Sequence, residues 1–258
     1  RLDGVTGVQT CALPIFLSFK KTISFLKDKK ALKEQGLFIV DTEKILKEAL
    51  GAGIEIERFF YSDDEIPRGF SVPHNLAEKS KYSDISRFAS VKTHSGFLAL
   101  CRAPEKPLKD FKSAKRIVLL DGIQDPSNIG AIIRSGAAFG FDNYLFINGC
   151  AGVFSEKAVR ASAGAVFKVN TRSIDIKEAA ALAAEFKFIA TDVENGTDIK
   201  NADIGGKSVI VFGSEGKGVS KEIKELAASR IKINYPGNVE SLNVAAAAAV
   251  IFFEFSSR

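Results

Sequence analysis

Residues 235–255 read YPGNVESLNVAAAAAVIFFEF, and this stretch constrains the fold more than any other in the chain. A proline–glycine turn and a short polar segment lead into Ala245 to Ala249, a run with high helix propensity. Ser241 and Asn243 stand where the helix would begin, either as caps or as ligand contacts. Alanines let another backbone segment lie directly against a helix, although the same run also suits an ordinary buried helix.

Upstream of this helix, the second half of the chain alternates apolar segments with helical ones. The predicted strands are mostly continuous apolar runs, namely RIVLLD, NYLFIN, AVFKVN, FKFIATD, SVIVFG and RIKINY. Such strands are typical of a parallel sheet covered on both faces. Ligands bind beyond the carboxyl ends of strands in these sheets, so the loops after Asp121, Asp192, Gly213 and Tyr235 are the candidates for a site.

The first half of the chain shows the same alternation on a smaller scale. LFIV, IEIERFFY and FLALCRAP are predicted strands, and residues 75–90 are predicted to be helical. The two prolines and many charges of residues 103–115 predict a linker between a small α/β domain at 16–102 and a larger one at 116–258. Residues 1–15 have no clear period and are predicted to be a non-native or disordered leader.

The charge of the chain mildly favours a polyanionic partner. Its formal net charge is +5. Residues 20–33, KKTISFLKDKKALK, contain six lysines and one aspartate. This segment is either a solvated helix face or a patch that contacts phosphates.

Metal, disulfide and membrane roles find no support in the sequence. The three cysteines are far apart, and with only two histidines they indicate neither a zinc site nor a disulfide framework. A reducing cytoplasm is therefore expected. The longest apolar run, Val244 to Phe253, is shorter than the roughly 20 residues that span a bilayer.

The loop after the first strand of the larger domain, LLDGIQDPSNIGAIIRSGAAFGFD at 119–142, carries a candidate arginine. Ser127 or Asn128 is expected to cap the helix that follows. Arg134 lies six residues after Asn128 among small and apolar residues. Its guanidinium is either paired with a carboxylate or available for an anionic substrate, which argues against a simple capped turn.

The second loop of interest is VIVFGSEGKGVS at 209–220. Its glycines allow a sharp turn and close backbone approach to a ligand, and they are Gly213, Gly216 and Gly218. The spacing matches neither a Walker loop nor a dinucleotide loop. Glu215 would repel phosphate and suits a cationic or hydroxyl-bearing ligand, or a clamp on an arginine. A plain glycine-rich turn is the alternative.

Three loops taken together resemble one known family. Asn-x-Gly-x-x-x-Arg, Gly-x-Glu-x-x-Gly and Ser-Leu-Asn-Val occur in this order, as in the SpoU (TrmH) family of RNA ribose methyltransferases of the SPOUT superfamily. The resemblance covers nearly all of 116–255. The segments GLFIVDTEKILKEAL and VKTHSGFLAL resemble the substrate-binding domain of the ribosomal-RNA-modifying branch. Asp41, Thr42 and Ser95 depart from that domain's usual residues and leave the RNA target open.

The resemblance implies a fold and a cofactor. The family has an α/β domain with a parallel sheet and a deep trefoil knot, preceded here by a small α/β RNA-binding domain. The alanine run would then pack beside the threaded loops. S-adenosylmethionine would bind in the knot, at Gly213, Gly218, Ile233 and Leu242 by motif match. No metal is implied.

The resemblance also implies a reaction, in which a ribose 2′-hydroxyl attacks the sulfonium methyl group. The catalytic residues carried over by motif are Asn128, Arg134, Glu215, Ser241 and Asn243. Arg134 is expected to be essential, with Asn128 and Glu215 orienting it. Whether Arg134 acts as general base or as electrostatic positioner stays open, because a free guanidinium has a pKa above about 12.

The implied partners are RNA and a second copy of the chain. Ribosomal RNA is favoured over transfer RNA, and the modified nucleotide is left open. The candidate RNA contacts are Lys20, Lys21, Lys27, Lys29 and Lys30. The competing hypotheses are a non-catalytic ribosome assembly factor on the same fold and a small-molecule enzyme that uses a nucleotide cofactor.

Overall fold

The computed structural model describes residues 26–62, 66, 69–89 and 95–256. Two β-sheets organise this part of the chain, one with four strands and one with seven. The smaller sheet is formed by the first half of the chain and the larger one by the second half.

The smaller sheet is mixed, with strand order β1-β4-β2-β3. β4 pairs antiparallel with both β1 and β2, and β3 pairs parallel with β2. In chain order the elements are α1 (Lys29–Glu34), β1 (Leu37–Val40), α2 (Glu43–Gly51), β2 (Ile56–Tyr61), β3 (Ala77–Lys79), α3 (Tyr82–Ile85) and β4 (Phe97–Arg102).

One element of the small sheet corrects the sequence prediction. Residues 75–90 were expected to form a helix, but they contain β3 and only the short helix α3. Ala77 to Lys79 pair with Phe59 to Tyr61 of β2. Tertiary strand pairing therefore overrides the local helical preference of this segment.

The larger sheet is parallel in all its strand pairs, with order β7-β6-β5-β10-β8-β11-β9. Its elements are α4 (Leu108–Phe111), β5 (Arg116–Asp121), α5 (Pro126–Ala138), β6 (Asn143–Ile147), α6 (Glu156–Ala161), β7 (Asn170–Ser173), α7 (Ile176–Ala183), β8 (Lys187–Thr191), β9 (Thr197–Asp198), β10 (Ser208–Gly213), α8 (Lys221–Leu226), β11 (Ser229–Lys232) and α9 (Val244–Ser256). The predicted parallel α/β sheet is confirmed.

Both faces of this sheet are buried, as the continuous apolar strands predict. In β5, Val118 and Leu120 join the apolar cluster on the side of α5 and α9. Ile117 and Leu119 alternate with them and join the cluster on the side of α7 and α8. Phe111, within the predicted linker, is also fully buried in this second cluster.

The glycines of α5 are explained by close packing. A Cβ on Gly130 would lie 2.3 Å from the carbonyl oxygen of Ala158 in α6. A Cβ on Gly136 would lie 1.9 Å from the Tyr144 hydroxyl and 3.0 Å from Phe252 of α9. Because these residues are small, α5 packs closely against α6, α9 and the sheet. This close packing fixes the direction of α5.

The alanine run of α9 is only partly buried. Ala248 is fully buried, whereas Ala246 is exposed. Beyond the run, Phe252 stacks at a tilt on Phe141, with ring centroids 4.6 Å apart, and contacts Phe212 of β10 edge-on. The bulky residues at the end of α9 therefore anchor the helix to the sheet.

The two sheets share one apolar cluster. Phe38 of β1 stacks on Phe154 and Phe167 of the second half, with centroid distances of 5.2 and 5.7 Å. Glu48 pairs with Lys168 at 2.7 Å across the same contact. Packing and charge both hold the small sheet against the segments that follow β6.

Candidate active site at the carboxyl edge of the parallel sheet

The first motif begins where β5 ends. Asp125 is the cap residue of α5, and its carboxylate accepts a hydrogen bond from the backbone N–H of Ser127 at 2.9 Å. The expectation that Ser127 or Asn128 caps this helix is therefore wrong. Since Asp125 satisfies the exposed backbone donor, the Asn128 side chain remains available for other contacts.

Asn128 joins the other two motifs through its side-chain amide. Its Nδ2 donates a hydrogen bond to Oε1 of Glu215, in the second motif. Its Oδ1 accepts a hydrogen bond from Nδ2 of Asn243, in the third motif, at 3.2 Å. Residues 115 positions apart along the chain are thus brought into one polar cluster.

Asn243 also starts the last helix. Its Oδ1 accepts hydrogen bonds from the backbone N–H groups of Ala245 at 2.9 Å and Ala246 at 3.4 Å. This is the behaviour of a helix N-cap. One asparagine therefore fixes both the beginning of α9 and the orientation of the Asn128 amide.

The glycine-rich loop holds Glu215 at an exposed tip. Ser214 and Gly218 exchange two backbone hydrogen bonds, of 3.2 and 2.8 Å, at the base of this tip. Gly218 has a φ of +65°, which favours glycine. This loop therefore presents the carboxylate outward, toward Asn128 and the space in front of the sheet.

A small pocket lies beside this cluster. It has a volume of about 60 Å³ and lies at the carboxyl ends of β8 and β11 and the start of α9. Its lining residues are Thr191, Asp192, Val193, Ile231, Lys232, Ile233, Tyr235, Leu242, Ala247 and Ile251. The motif-matched Ile233 and Leu242 are among them, whereas Gly213 and Gly218 are not. The loops after Asp192 and Tyr235 were expected near a site only because ligands bind beyond the carboxyl ends of parallel strands.

Asp192 is the buried acid of this pocket, with a side chain only 5% exposed. Burial opposes ionisation, but N–H donors from Asn195 and Glu194 and the ammonium group of Lys224 outweigh it and lower the pKa of Asp192. Lys224 and Arg230 lie 3.4 and 3.6 Å from the same carboxylate oxygen. Asp192 therefore ties the wall of the pocket to α8 and β11.

Two of the predicted catalytic side chains stand apart from the polar cluster. Arg134 is exposed on α5, and among the described residues its guanidinium has no hydrogen-bond or ion-pair partner. Ser241 is exposed in the segment before α9, and its hydroxyl likewise makes no hydrogen bond to any described residue. Glu215 is paired with Asn128, so neither orients Arg134 within one chain.

The lysine-rich segment is described only from residue 26 onward, and Lys20 and Lys21 lie outside the described residues. Lys27 and Lys30 are exposed, and Lys29 is the first residue of α1. The ammonium group of Lys30 lies 3.8 Å from Glu34. The exposed side chains of Lys27 and Lys30 are accessible to a polyanion.

Within the residues that the structure describes, no group of His, Cys, Asp and Glu could hold a metal ion. The helices in the same part of the chain are too short or too polar to cross a membrane.

A parallel α/β sheet with a polar cluster and a pocket at its carboxyl edge is typical of an α/β enzyme. The model of the SpoU rRNA Methylase family matches residues 115–253, which is more than half of the chain. The chain belongs to this family.

Similar proteins extend the likeness over both halves of the chain. The 23S rRNA (guanosine(2553)-2'-O)-methyltransferase RlmP of Bacillus subtilis is 27% identical over 231 residues, which cover 88% of this chain and 92% of the relative. The AdoMet-bound rRNA methyltransferase of Sinorhizobium meliloti is 25% identical with a TM-score of 0.79, covering 93% and 95% of the two chains. The SpoU methyltransferase AviRb of Streptomyces viridochromogenes, at 22% identity and a TM-score of 0.78 over 93% and 96% of the chains, shares the fold.

Proposed function

We propose that this protein transfers a methyl group from S-adenosylmethionine to a ribose 2′-hydroxyl in RNA, with ribosomal RNA as the favoured substrate. The observation that carries this proposal is the hydrogen-bonded cluster of Asn128, Glu215 and Asn243 beside the pocket. The cluster unites all three motifs of the family in one place. RlmP, which resembles the chain over most of its length, is named for this reaction on 23S rRNA.

The pocket suits part of the cofactor. Ile233, Leu242 and Tyr235 provide apolar and aromatic walls of the kind that hold an adenine ring. The volume of about 60 Å³ is well below the roughly 300 Å³ of a ligand site, so the segment between β11 and α9 has to move when the cofactor binds. Residues 236–241 of this segment are exposed, which leaves room for that movement.

S-adenosylmethionine supplies an electrophilic methyl carbon bonded to a sulfonium sulfur. When the cofactor is bound, the ribose oxygen would form a bond to this carbon as the carbon–sulfur bond breaks, the thioether S-adenosylhomocysteine would leave, and the hydroxyl proton would pass to solvent. Glu215, whose carboxylate accepts a hydrogen bond from Asn128, would accept another from the attacking hydroxyl. Arg134 would stabilise the negative charge that develops on the ribose oxygen or on a neighbouring phosphate.

A second copy of the chain is proposed as the partner of α9. Ala246, Val250 and Phe253 form an exposed apolar stripe at helical spacing, with Val250 41% and Phe253 60% exposed. Phe139, the C-cap residue of α5, contacts Phe253 edge-on and extends this stripe toward the helix of Arg134. A symmetric contact through the stripe would bury these residues and bring Arg134 of one copy toward the polar cluster of the other.

The trefoil knot is part of the same proposal. β11 pairs with β8 on one side and with β9 on the other. The connection from β8 to β10 therefore passes around β11, and Gly196 lies so close that a Cβ would be 2.4 Å from the Ile231 backbone. Threading of the segment after β11 through this connection would account for both observations.

The division of labour within the chain is proposed as well. The domain at 16–102, which contains the small sheet, would bind RNA, 103–115 would connect it, and 116–258 would carry out methyl transfer. RlmP matches the chain across both parts, which supports a substrate-binding role for the first. The buried Phe111 holds the connecting segment against the larger sheet.

Methyl transfer to isolated RNA tests the proposal directly. The full chain is incubated with S-adenosylmethionine carrying a labelled methyl group and with ribosomal or transfer RNA from cells that lack the corresponding modification. Label in ribosomal RNA at a 2′-O-methylated nucleotide is the expected result. Label in transfer RNA alone would change the substrate, and no label in either RNA would favour a non-catalytic assembly factor.

A further inference from the structure

Asp121 is a buried acid at the carboxyl end of β5, beside the start of the glycine-rich loop. It is the last residue of β5, where the sheet register places it beside Gly213 of β10 and Ile147 of β6. The residue is only 2% exposed. A carboxylate in this position has to be satisfied by hydrogen bonds from its surroundings.

Both oxygens of Asp121 accept short hydrogen bonds. Oδ1 accepts from Nδ2 of Asn148 at 2.7 Å, and Oδ2 accepts from the backbone N–H of Ser220 at 2.7 Å. Asn148 also donates to the Ser220 hydroxyl at 3.2 Å. Asn148 lies in the loop after β6, Asp121 at the end of β5 and Ser220 at the start of α8. The three residues form one closed hydrogen-bond network.

Asn148 adopts an uncommon backbone conformation to join this network. Its φ is +55°, in the left-handed region that few residues other than glycine enter. Asparagine tolerates this region better than most residues. This backbone conformation directs the Asn148 amide at Asp121, at a small cost in backbone conformational energy.

The network holds both ends of the glycine-rich loop. The loop leaves β10 at Gly213, the sheet neighbour of Asp121, and it ends at Ser220, whose N–H the carboxylate binds. Glu215 lies at the tip between these two ends. Asp121 is therefore placed to set the position of Glu215, although it contacts neither Glu215 nor the pocket.

We propose that Asp121 is a positioning residue for the reaction, which fixes the base of the loop so that Glu215 meets Asn128. The inference rests on the proposed methyl transfer. Because Asp121 acts through the loop, its loss should lower kcat while the KM values for RNA and S-adenosylmethionine stay close to normal. An error of about 1 Å in a catalytic group can reduce a rate about 100-fold.

The test compares the full chain with Asp121→Asn, in which the new amide N–H would oppose the N–H of Ser220. We expect kcat to fall about 10- to 100-fold, with both KM values within about twofold. Asn148→Gly removes the amide without straining the backbone and should give a smaller loss of kcat. It also keeps the proposal testable if Asp121→Asn does not fold.

Ile117→Ala, at the opposite end of the same strand, is the control for general destabilisation. It should lower the melting temperature while leaving kcat within about twofold at a temperature well below melting. An equal loss of kcat in Ile117→Ala, or a normal kcat in folded Asp121→Asn, would overturn the proposal.

Hydrogen exchange separates this inference from the proposed function. Peptides covering 214–220 should exchange faster in Asp121→Asn than in the unmodified protein, and Ile117→Ala should not show this local change. Faster exchange without methyl transfer by the unmodified protein would reject the proposed reaction and keep the anchoring role of Asp121. Unchanged exchange in both Asp121→Asn and Asn148→Gly would reject the anchoring role itself.

Discussion

Gly213 lies directly against Gly218: a Cβ on Gly213 would be 2.0 Å from the carbonyl carbon of Gly218 and 2.1 Å from the nitrogen of Val219. From the sequence, this glycine was expected to allow a sharp turn and the close approach of a ligand to the backbone. The structure shows the sharp turn, but the space beside Gly213 is filled by the backbone of the same loop and not by a ligand site. Gly213 is therefore required for the loop to close on itself.

Gly213→Ala should lower thermal stability and weaken S-adenosylmethionine binding together. The added methyl group meets backbone, which has to shift, and overpacking of this kind costs about 1–3 kcal/mol. Gly216→Ala is the matched control, because a Cβ there meets nothing within 4 Å. Melting curves and calorimetric titration with the cofactor measure both effects. Equal behaviour of the two variants would contradict the backbone-contact explanation.

Asn128→Ala and Glu215→Gln should each reduce kcat about 100-fold, the usual loss for one catalytic electrostatic contact. The two side chains are hydrogen-bonded, so the double variant should be little worse than the poorer single one. Ser127→Ala is the control, because the backbone N–H at this position still donates to the Asp125 carboxylate. Fully additive losses in single-turnover assays would show that the two residues act separately.

Local patterns predicted most of the large sheet but not the parts that depend on long-range contacts. The strand runs ending at Asp121 and Gly213 were located correctly, because a buried parallel strand needs a continuous apolar run. AVFKVN was read as a strand, but the strand starts only at Asn170 and residues 165–168 form a 3-10 turn. β9 is two residues long and exists only through its pairing with β11, so no local pattern marks it.

Long-range contacts also limited what the sequence could predict about the candidate site. Asn128, Glu215 and Asn243 were named from motif spacing, and they meet in the structure. Their hydrogen-bond order could not be read from the sequence, since it depends on how three loops converge. Asp121 and Asn148 were missed as contributors, although the Asn-Gly pair at 148–149 is a signal for a left-handed turn.

Arg134→Ala should reduce methyl transfer about 100-fold or more while leaving cofactor binding and the melting temperature unchanged. The side chain is exposed and has no partner among the described residues, so folding does not depend on it. Initial rates, calorimetry and melting curves provide the three measurements. Normal turnover in this variant would remove Arg134 from the mechanism.

Mixed dimers decide whether Arg134 acts across a subunit contact. Arg134→Ala and Glu215→Ala chains are each inactive by expectation, but a mixed dimer would contain one intact site if the two residues come from different copies. Random mixing should restore about a quarter of normal activity. Phe253→Glu should prevent both dimer formation and this recovery, as ultracentrifugation and rate assays would show. No recovery from stable mixed dimers would place both residues in one copy.

Neutralising Lys27, Lys29 and Lys30 to glutamine should weaken RNA binding and flatten its salt dependence. Each lost phosphate contact reduces the slope of log K against log salt by about 0.7–0.9. The exposed ion pair of Lys30 with Glu34 is worth little and should not compete. Lys177→Gln, an exposed lysine on α7, is the control. An unchanged slope would indicate that the segment is a solvated helix face that does not contact phosphates.

Asp192→Asn should destabilise the protein in a pH-dependent manner. The pKa of Asp192 is lowered in the folded chain, so its carboxylate stabilises the fold above the ordinary pKa of about 3.9. That contribution is lost as the pH falls from about 4 through the lowered folded-state pKa.

At pH 7 the variant should lose about 1–3 kcal/mol of unfolding free energy, because Lys224 and Arg230 lose their buried partner charge. The difference should shrink below pH 4 in denaturant unfolding. A difference that stays constant between pH 7 and pH 3 would mean that the charge of Asp192 does not hold the pocket wall in place.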